Sequence, residues 1–142
     1  MICLRPMTED DADLLHNWRS DERVYRYLKN PKPPAMEEHR AWAIWVLRDK
    51  YAPRCFIADH IEHGPVGFCS FHPESGEIGI YTAPEHHGKG FAADALALLV
   101  EQARKAGLEK LKAVVHPENV PARALYRKLG FKDKWVTMET ST

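Results

Sequence analysis

Two glycines separated by one lysine, Gly88-Lys89-Gly90, stand where a short apolar strand gives way to a long apolar helix. No other stretch restricts this chain as much. Ile78 to Thr82 reads as the strand, Pro84 leads a turn, and Phe91 opens the helix. Glycines at such a turn leave backbone N–H groups uncovered, and the start of a helix adds partial positive charge. The junction is therefore a natural seat for a phosphate, and the first question is which phosphate.

The 142 residues fit one domain, residues 1–142, large enough to hold a core without staples. Lys plus Arg and Asp plus Glu both number 20, so no basic excess points to nucleic acid. Partners are expected among small molecules or proteins. Cys3, Cys55 and Cys69 form an odd set without C-x-x-C spacing, which suits free thiols in a reducing compartment. MICLRPMTEDD turns acidic before any run long enough for a signal peptide, and no apolar stretch reaches the roughly 18 residues of a membrane span. The expectation is a soluble, cytoplasmic protein, neither membrane-bound nor carrying a resident metal.

In chain order, Ile2 to Arg5 reads as an opening strand closed by Pro6. Thr8 and Asp11 have capping-box spacing ahead of a helix running to about Trp18, and Asp21 to Leu28 repeats a helical pattern. Pro31, Pro33 and Pro34 then force an exposed, semi-rigid loop. Ala35 to Leu47 is amphipathic, with Trp42 and Trp45 as sheet cover. Arg54 to Asp59 and Val66 to Phe71 read as an antiparallel pair, and Glu77 to Thr82 as the next strand. Phe91 to Ala106 is a buried helix ending at Gly107, Lys110 to His116 a strand, Pro121 to Leu129 a helix ending at Gly130, and Phe131 to Thr140 the last strand or strands. The order predicts a mixed α/β fold: a mostly antiparallel sheet with helices on both faces.

Gly88 to Ala93 satisfies the loose dinucleotide pattern G-x-G-x-x-G/A, but Pro84-Glu85-His86-His87 separates the glycines from their strand. A Walker loop fails because Lys89 is followed by Gly90. His60 and His63 have H-x-x-H spacing in a hairpin loop and lack the glutamate of a zinc helix. Cys69 falls in a strand and reads as core.

Taken together, His87-Gly88-Lys89-Gly90-Phe91-Ala92 and Asn119 through Phe131 resemble the two signatures of the GNAT superfamily of N-acetyltransferases. The first is Q/R-x-x-G-x-G/A, matched at Gly90 and Ala92 and departed from at His87. The second is N-x-x-A-x-x-x-Y-x-x-x-G-F, matched at Asn119, Ala122, Tyr126, Gly130 and Phe131. The opening LRP strand and the two helices after it extend the likeness over nearly the whole chain.

That resemblance implies acetyl-CoA as cofactor, bound where the strand 77–82 splays from the next one. His87, Gly88, Lys89, Gly90, Phe91, Ala92 and Ala93 would hold the pyrophosphate, and Ile80, Tyr81 and Thr82 would offer main-chain groups to pantetheine. An N–H near Ile80 or Tyr81 would polarise the acetyl carbonyl. Tyr126 is the candidate acid for the departing thiolate, with a core tyrosine as the alternative. Asn119 caps its helix or bonds CoA. Glu77 is the candidate general base, or a plain solvated carboxylate, with His72 as a second base candidate at the mouth of the site.

HNWRSDERVYRYL followed by PPAMEEHRAWAIWVL resembles the branch of the family that acetylates amino sugars on nucleotides, and ribosomal-protein N-terminal acetyltransferases share the same opening. Trp18 or Tyr25 would then stack on a sugar or base, and Arg19 and Arg23 would meet a diphosphate; the alternative puts Trp18 in the core and the arginines in solvent. The acceptor is thus a small-molecule amine or a peptide N-terminus, and the protein a monomer or homodimer. The family usually has two strands after G-F, whereas Lys132 to Thr142 shows one strand pattern, leaving a second strand missing or supplied by a partner.

Overall fold

The computed structural model describes residues 1–142. One sheet holds β1 (Ile2–Pro6), β2 (Arg54–His60), β3 (Gly64–Phe71), β4 (Glu77–Thr82) and β5 (Lys112–Ala113), side by side in chain order. The first three pairings are antiparallel, and β4–β5 is parallel. The helices are α1 (Ala12–Arg19), α2 (Glu22–Tyr25), α3 (Met36–Arg48), α4 (Phe91–Lys105) and α5 (Val120–Lys128). This is the mixed α/β layout expected, with helices on both faces.

Side-chain alternation along the strands sorts the core into two layers. Ile57, Phe68 and Tyr81 pack with Leu15, Trp18 and Ala43 from α1 and α3. Cys69, Phe71, Ile78 and Ile80 pack with Leu96, Leu99 and Ala103 from α4, and with Leu125 and Tyr126 from α5. Leu96 and Leu99 are wholly buried, each worth about 1.5–3 kcal/mol of apolar burial, so α4 is fastened along β4 as well as started beside it.

Local chemistry explains the element ends. The Thr8 N–H donates to the Asp11 carboxylate at 2.8 Å, so the capping-box spacing starts the turn into α1 as the sequence suggests. Arg5 then grips Asp11 through two guanidinium nitrogens at 2.8 Å each and Asp59 at 2.7 Å, tying β1, β2 and that turn together. At the end of α5, the Gly130 N–H reaches the Arg127 carbonyl and the Phe131 N–H the Tyr126 carbonyl, a Schellman closure with Gly130 at φ 95°. The rings of Tyr126 and Phe131 lie 5.3 Å apart, which supplies the apolar contact that such a closure favours. The Y-x-x-x-G-F spacing is thus a helix-ending device.

Three expectations need correction. The strand expected over Lys110 to His116 pairs only at Lys112–Ala113, because β4 beyond Ile78 has no register partner on that side. The helix expected over Asp21 to Leu28 is limited to Glu22–Tyr25. No strand forms over Phe131 to Thr140: strand structure needs a partner, and Trp135, Val136 and Met138 stand 84–88% exposed with none. The hairpin is also more irregular than its sequence suggested, since Gly64 and Pro65 belong to β3 and a bulge falls at Ala58/Asp59.

Candidate active site

The site is a gap in the sheet. β4 and β5 pair only at Glu77↔Lys112 and Ile78↔Ala113. On the other edge of β4, the His72 N–H donates to Glu77 and the Ala83 N–H to Val66, which fixes the phase of the antiparallel ladder. Glu77, Gly79 and Tyr81 therefore turn their backbone groups to β3, while Ile78, Ile80 and Thr82 turn theirs to the β5 side. Ile78 meets β5, whereas Ile80 and Thr82 face the gap beyond the last pair.

The gap leads straight to the glycine loop. Gly88, Lys89 and Gly90 donate no backbone N–H to the protein, and the first N–H groups of α4 have no intrahelical partner. Gly88 and Gly90 both sit at φ 80°, and a Cβ built on either meets no atom within 4 Å. A row of unpaired N–H groups at the positive end of a 15-residue helix, with open space before it, fits a pyrophosphate. The gap and loop together thus fit an extended molecule that is a diphosphate at one end and amide-rich along its length.

His87, where the loop departs from its usual arginine or glutamine, has a defined task. Its Nε2 donates to the Thr82 carbonyl at 2.9 Å, tying the loop to the end of β4. Lys89 Nζ lies 3.2 Å from His86 Nδ1, and burial followed by the Lys89 charge lowers the pKa of His86. Phe91, Ala92 and Ala93 form the first turn of α4 and are half-buried.

The candidate chemical groups lie at different depths. Glu77 is exposed, at the closed end of the gap where β4 and β5 still pair. His72 is beside it, but its Nδ1 accepts from the Glu74 and Ser75 N–H groups at 3.2 and 3.3 Å, so in the neutral ring the proton is on Nε2. Tyr126 is half-buried against the α4 layer, and burial raises its phenol pKa, keeping it protonated at neutral pH. Asn119 caps α5, its side-chain oxygen accepting from the Ala122 N–H at 3.3 Å.

The proposed acceptor residues separate sharply. Trp18 is 2% exposed and edge-on to Tyr81, so it has no open face for a ligand. Arg23 is held by both oxygens of Asp21 and reaches the Pro84 carbonyl at 3.5 Å, while Tyr25 is half-buried on the same turn. Tyr27 packs on His116 at 5.5 Å, so the α2 region touches the β4 side of the gap at Pro84 and the β5 side at His116. Arg19 alone of these arginines has no hydrogen-bonded acid, and its Nε is buried without a partner.

Sequence reasoning missed His39. It is 2% exposed, neither ring nitrogen has a partner, and burial lowers its pKa to about 4. The available signal was its position in α3, in line with buried Ala43 and half-buried Val46, where a histidine must either be satisfied or be waiting for something.

Comparison with known proteins gives concordant matches. The family model described as the acetyltransferase (GNAT) domain matches residues 1–132. An uncharacterized N-acetyltransferase of Bacillus subtilis, YycN, is 40% identical over 129 residues, covering 91% of this chain and 74% of that protein. An uncharacterized protein of Methanocaldococcus jannaschii is 26% identical over 137 residues; the match covers 92% of this chain but only 28% of the length of that protein. In three dimensions, the Vibrio cholerae spermidine N-acetyltransferase in complex with CoA and spermine superposes with a TM-score of 0.84 over 94% of this chain and 82% of its own. At 23% identity that last likeness speaks for the fold alone.

Proposed function

Since the chain belongs to the GNAT acetyltransferase family and is an acetyl-CoA-dependent N-acetyltransferase, we propose that it transfers the acetyl group directly to a primary amine, with both reactants held together along β4. The observation that carries this reading is the free edge of β4 at Ile80 and at the Thr82 N–H, continuous with the unpaired N–H groups of Gly88 to Gly90. Acetyl-CoA supplies the activated acetyl thioester. The loop from Gly88 to Ala93 holds its pyrophosphate, and Ile80 and the Thr82 N–H pair with the pantetheine amides as an added strand would. The ladder phase favours the Ile80 N–H over that of Tyr81 as donor to the acetyl oxygen.

A C–N bond forms and a C–S bond breaks. Glu77, at the closed end of the gap, accepts the amine proton directly or through a water, and the Tyr126 phenol returns a proton to sulfur. His72 orders the β3–β4 turn beside Glu77. The resemblance of the α1–α2 segment supports an amino sugar on a nucleotide as acceptor, with a peptide N-terminus as the second reading. Three cysteines free of disulfides suit the cytoplasm, and burial pushes the Cys55 and Cys69 thiols up to about 12, away from nucleophilic use.

Calorimetry with acetyl-CoA, CoA and NAD, followed by turnover on nucleotide-linked amino sugars and peptide N-termini, tests the reading. NAD binding without CoA binding would sink it. CoA binding with no amine acetylated would favour a CoA-sensing domain on the same fold.

A further inference from the structure

Between α1, the proline loop and α3 lies a cavity of about 440 Å³ lined by Arg19, Pro34, His39 and Trp42. His39 is 2% exposed and lines it with two unpartnered ring nitrogens, and Arg19 lines it with a buried, unpartnered Nε. Arg5 is held by Asp11 and Asp59 and Arg23 by Asp21, and Arg26, Arg48 and Arg54, which have no acid, are exposed to solvent, whereas Arg19 buries its Nε. The cavity is lined mainly by polar groups, and its one acid, Glu38, is exposed at the rim and makes no ion pair with Arg19, which leaves an anion's place open beside the guanidinium. The rim charges Lys32 and Glu38 are exposed and of opposite sign, so they do not reverse the field at Arg19.

The cavity and β4 share a packed aromatic wall. His39 touches Trp42 at 5.2 Å, Trp42 touches Phe68 at 5.8 Å, and Phe68 stacks on Tyr81 of β4 at 5.1 Å. The Tyr81 phenol is buried without a partner, and the nearby Arg19 charge acts on it. A molecule seated at Arg19 therefore lies on the sheet face that carries Tyr81, one residue from Ile80.

We infer that this cavity is the acceptor pocket and that it selects amines bearing an oxyanion, a carboxylate or phosphate, which Arg19 pairs with and the His39 imidazole hydrogen-bonds. The inference rests on the transferase reading above and narrows its acceptor. It turns away polycationic amines, whose ammonium groups would meet an uncompensated guanidinium.

The test compares kcat/KM for a nucleotide-diphosphate amino sugar, an α-amino acid, the methyl ester of that amino acid, and a polyamine, in wild type, Arg19→Gln and Arg19→Lys. Acetyl-CoA affinity is measured alongside by calorimetry. At least one oxyanion-bearing amine should exceed the ester and the polyamine by about 10- to 150-fold, the range of a lost charged hydrogen bond. Arg19→Gln should erase that preference, Arg19→Lys should restore part of it, and acetyl-CoA affinity should stay constant throughout. The diphosphate and carboxylate arms identify which oxyanion is read. As a readout without turnover, an N-acetylated amino acid should shift the His39 ring resonances, and its methyl ester should not. Equal use of acid and ester, preference for the polyamine, or no acetylated oxyanion-bearing amine despite acetyl-CoA binding would overturn the inference. Absence of acetyl-CoA binding would instead overturn the reading beneath it.

Discussion

Replacing Gly90 by alanine separates the phosphate seat from ordinary helix capping. Gly90 is the N-cap of α4 at φ 80°, a conformation that costs an L-residue about 1–2 kcal/mol. A Cβ there meets no protein atom within 4 Å, so the folded protein bears this backbone cost and no clash. Gly107, just past the other end of α4, supplies a matched control with φ 90° and equally open surroundings. The two glycines flank a 15-residue helix and its C-cap, which puts them roughly 25 Å apart. Both alanine variants should lose about 3–8 °C in Tm. Their acetyl-CoA affinities should diverge. At Gly90 the new methyl group intrudes between backbone N–H groups and phosphate, and losing one charged hydrogen bond, worth about 1.5–3 kcal/mol, weakens binding about 10- to 150-fold. Gly107→Ala should bind as wild type does. Calorimetry on folded samples well below Tm gives the comparison. Equal affinities in the two variants would refute the placement of the pyrophosphate at this loop.

The remaining predictions concern single groups. Tyr126→Phe keeps the ring packed against Phe131, so it should leave acetyl-CoA affinity unchanged and lower kcat by about 100-fold or more, the lower range for a lost general acid; full turnover would make Tyr126 a core residue only. His87→Ala removes the bond to Thr82 and should weaken acetyl-CoA about 5-fold, the value of an ordinary hydrogen bond, while His87→Gln should recover most of it. The folded-state pKa of His39 is lowered to about 4 against an unfolded value of about 6.5. Its contribution to stability is therefore complete above pH 6.5 and is lost as pH falls toward 4, where the unfolded chain binds the extra proton. Thermal melts from pH 7 to pH 4 should decline in wild type and decline less in His39→Gln; parallel curves would show that the ring is not desolvated.

How much of this was legible beforehand varies from residue to residue. The strand-loop-helix junction was, because glycine spacing and apolar periodicity are local and survive tertiary packing; Glu77–Thr82 and Phe91–Lys105 form where the sequence puts them. The two-layer core was also readable, since strand alternation assigns Tyr81 to one face and Ile80 to the other. The ends of β5 and of the tail were not. Val114 and Val136 have strand-forming side chains, yet whether they pair depends on a neighbouring edge, and propensity says nothing about that. The acceptor side was the least legible. Trp18 and Arg19 are adjacent in sequence and differ in fate by the turn of one helix, the indole entering the core and the guanidinium facing the cavity. His39 was hidden for the converse reason: a polar residue on a buried stripe gains meaning only when its neighbours fail to satisfy it.

Amide hydrogen exchange with and without CoA reads the open edge of β4 residue by residue. Ile80, Thr82 and the N–H groups from Gly88 to Ala93 should become protected in the complex, while Gly79 and Tyr81, already bonded to β3, should change little. Protection that is absent from this alternating pattern, or that appears elsewhere in the sheet, would contradict binding of acetyl-CoA along the free edge of β4.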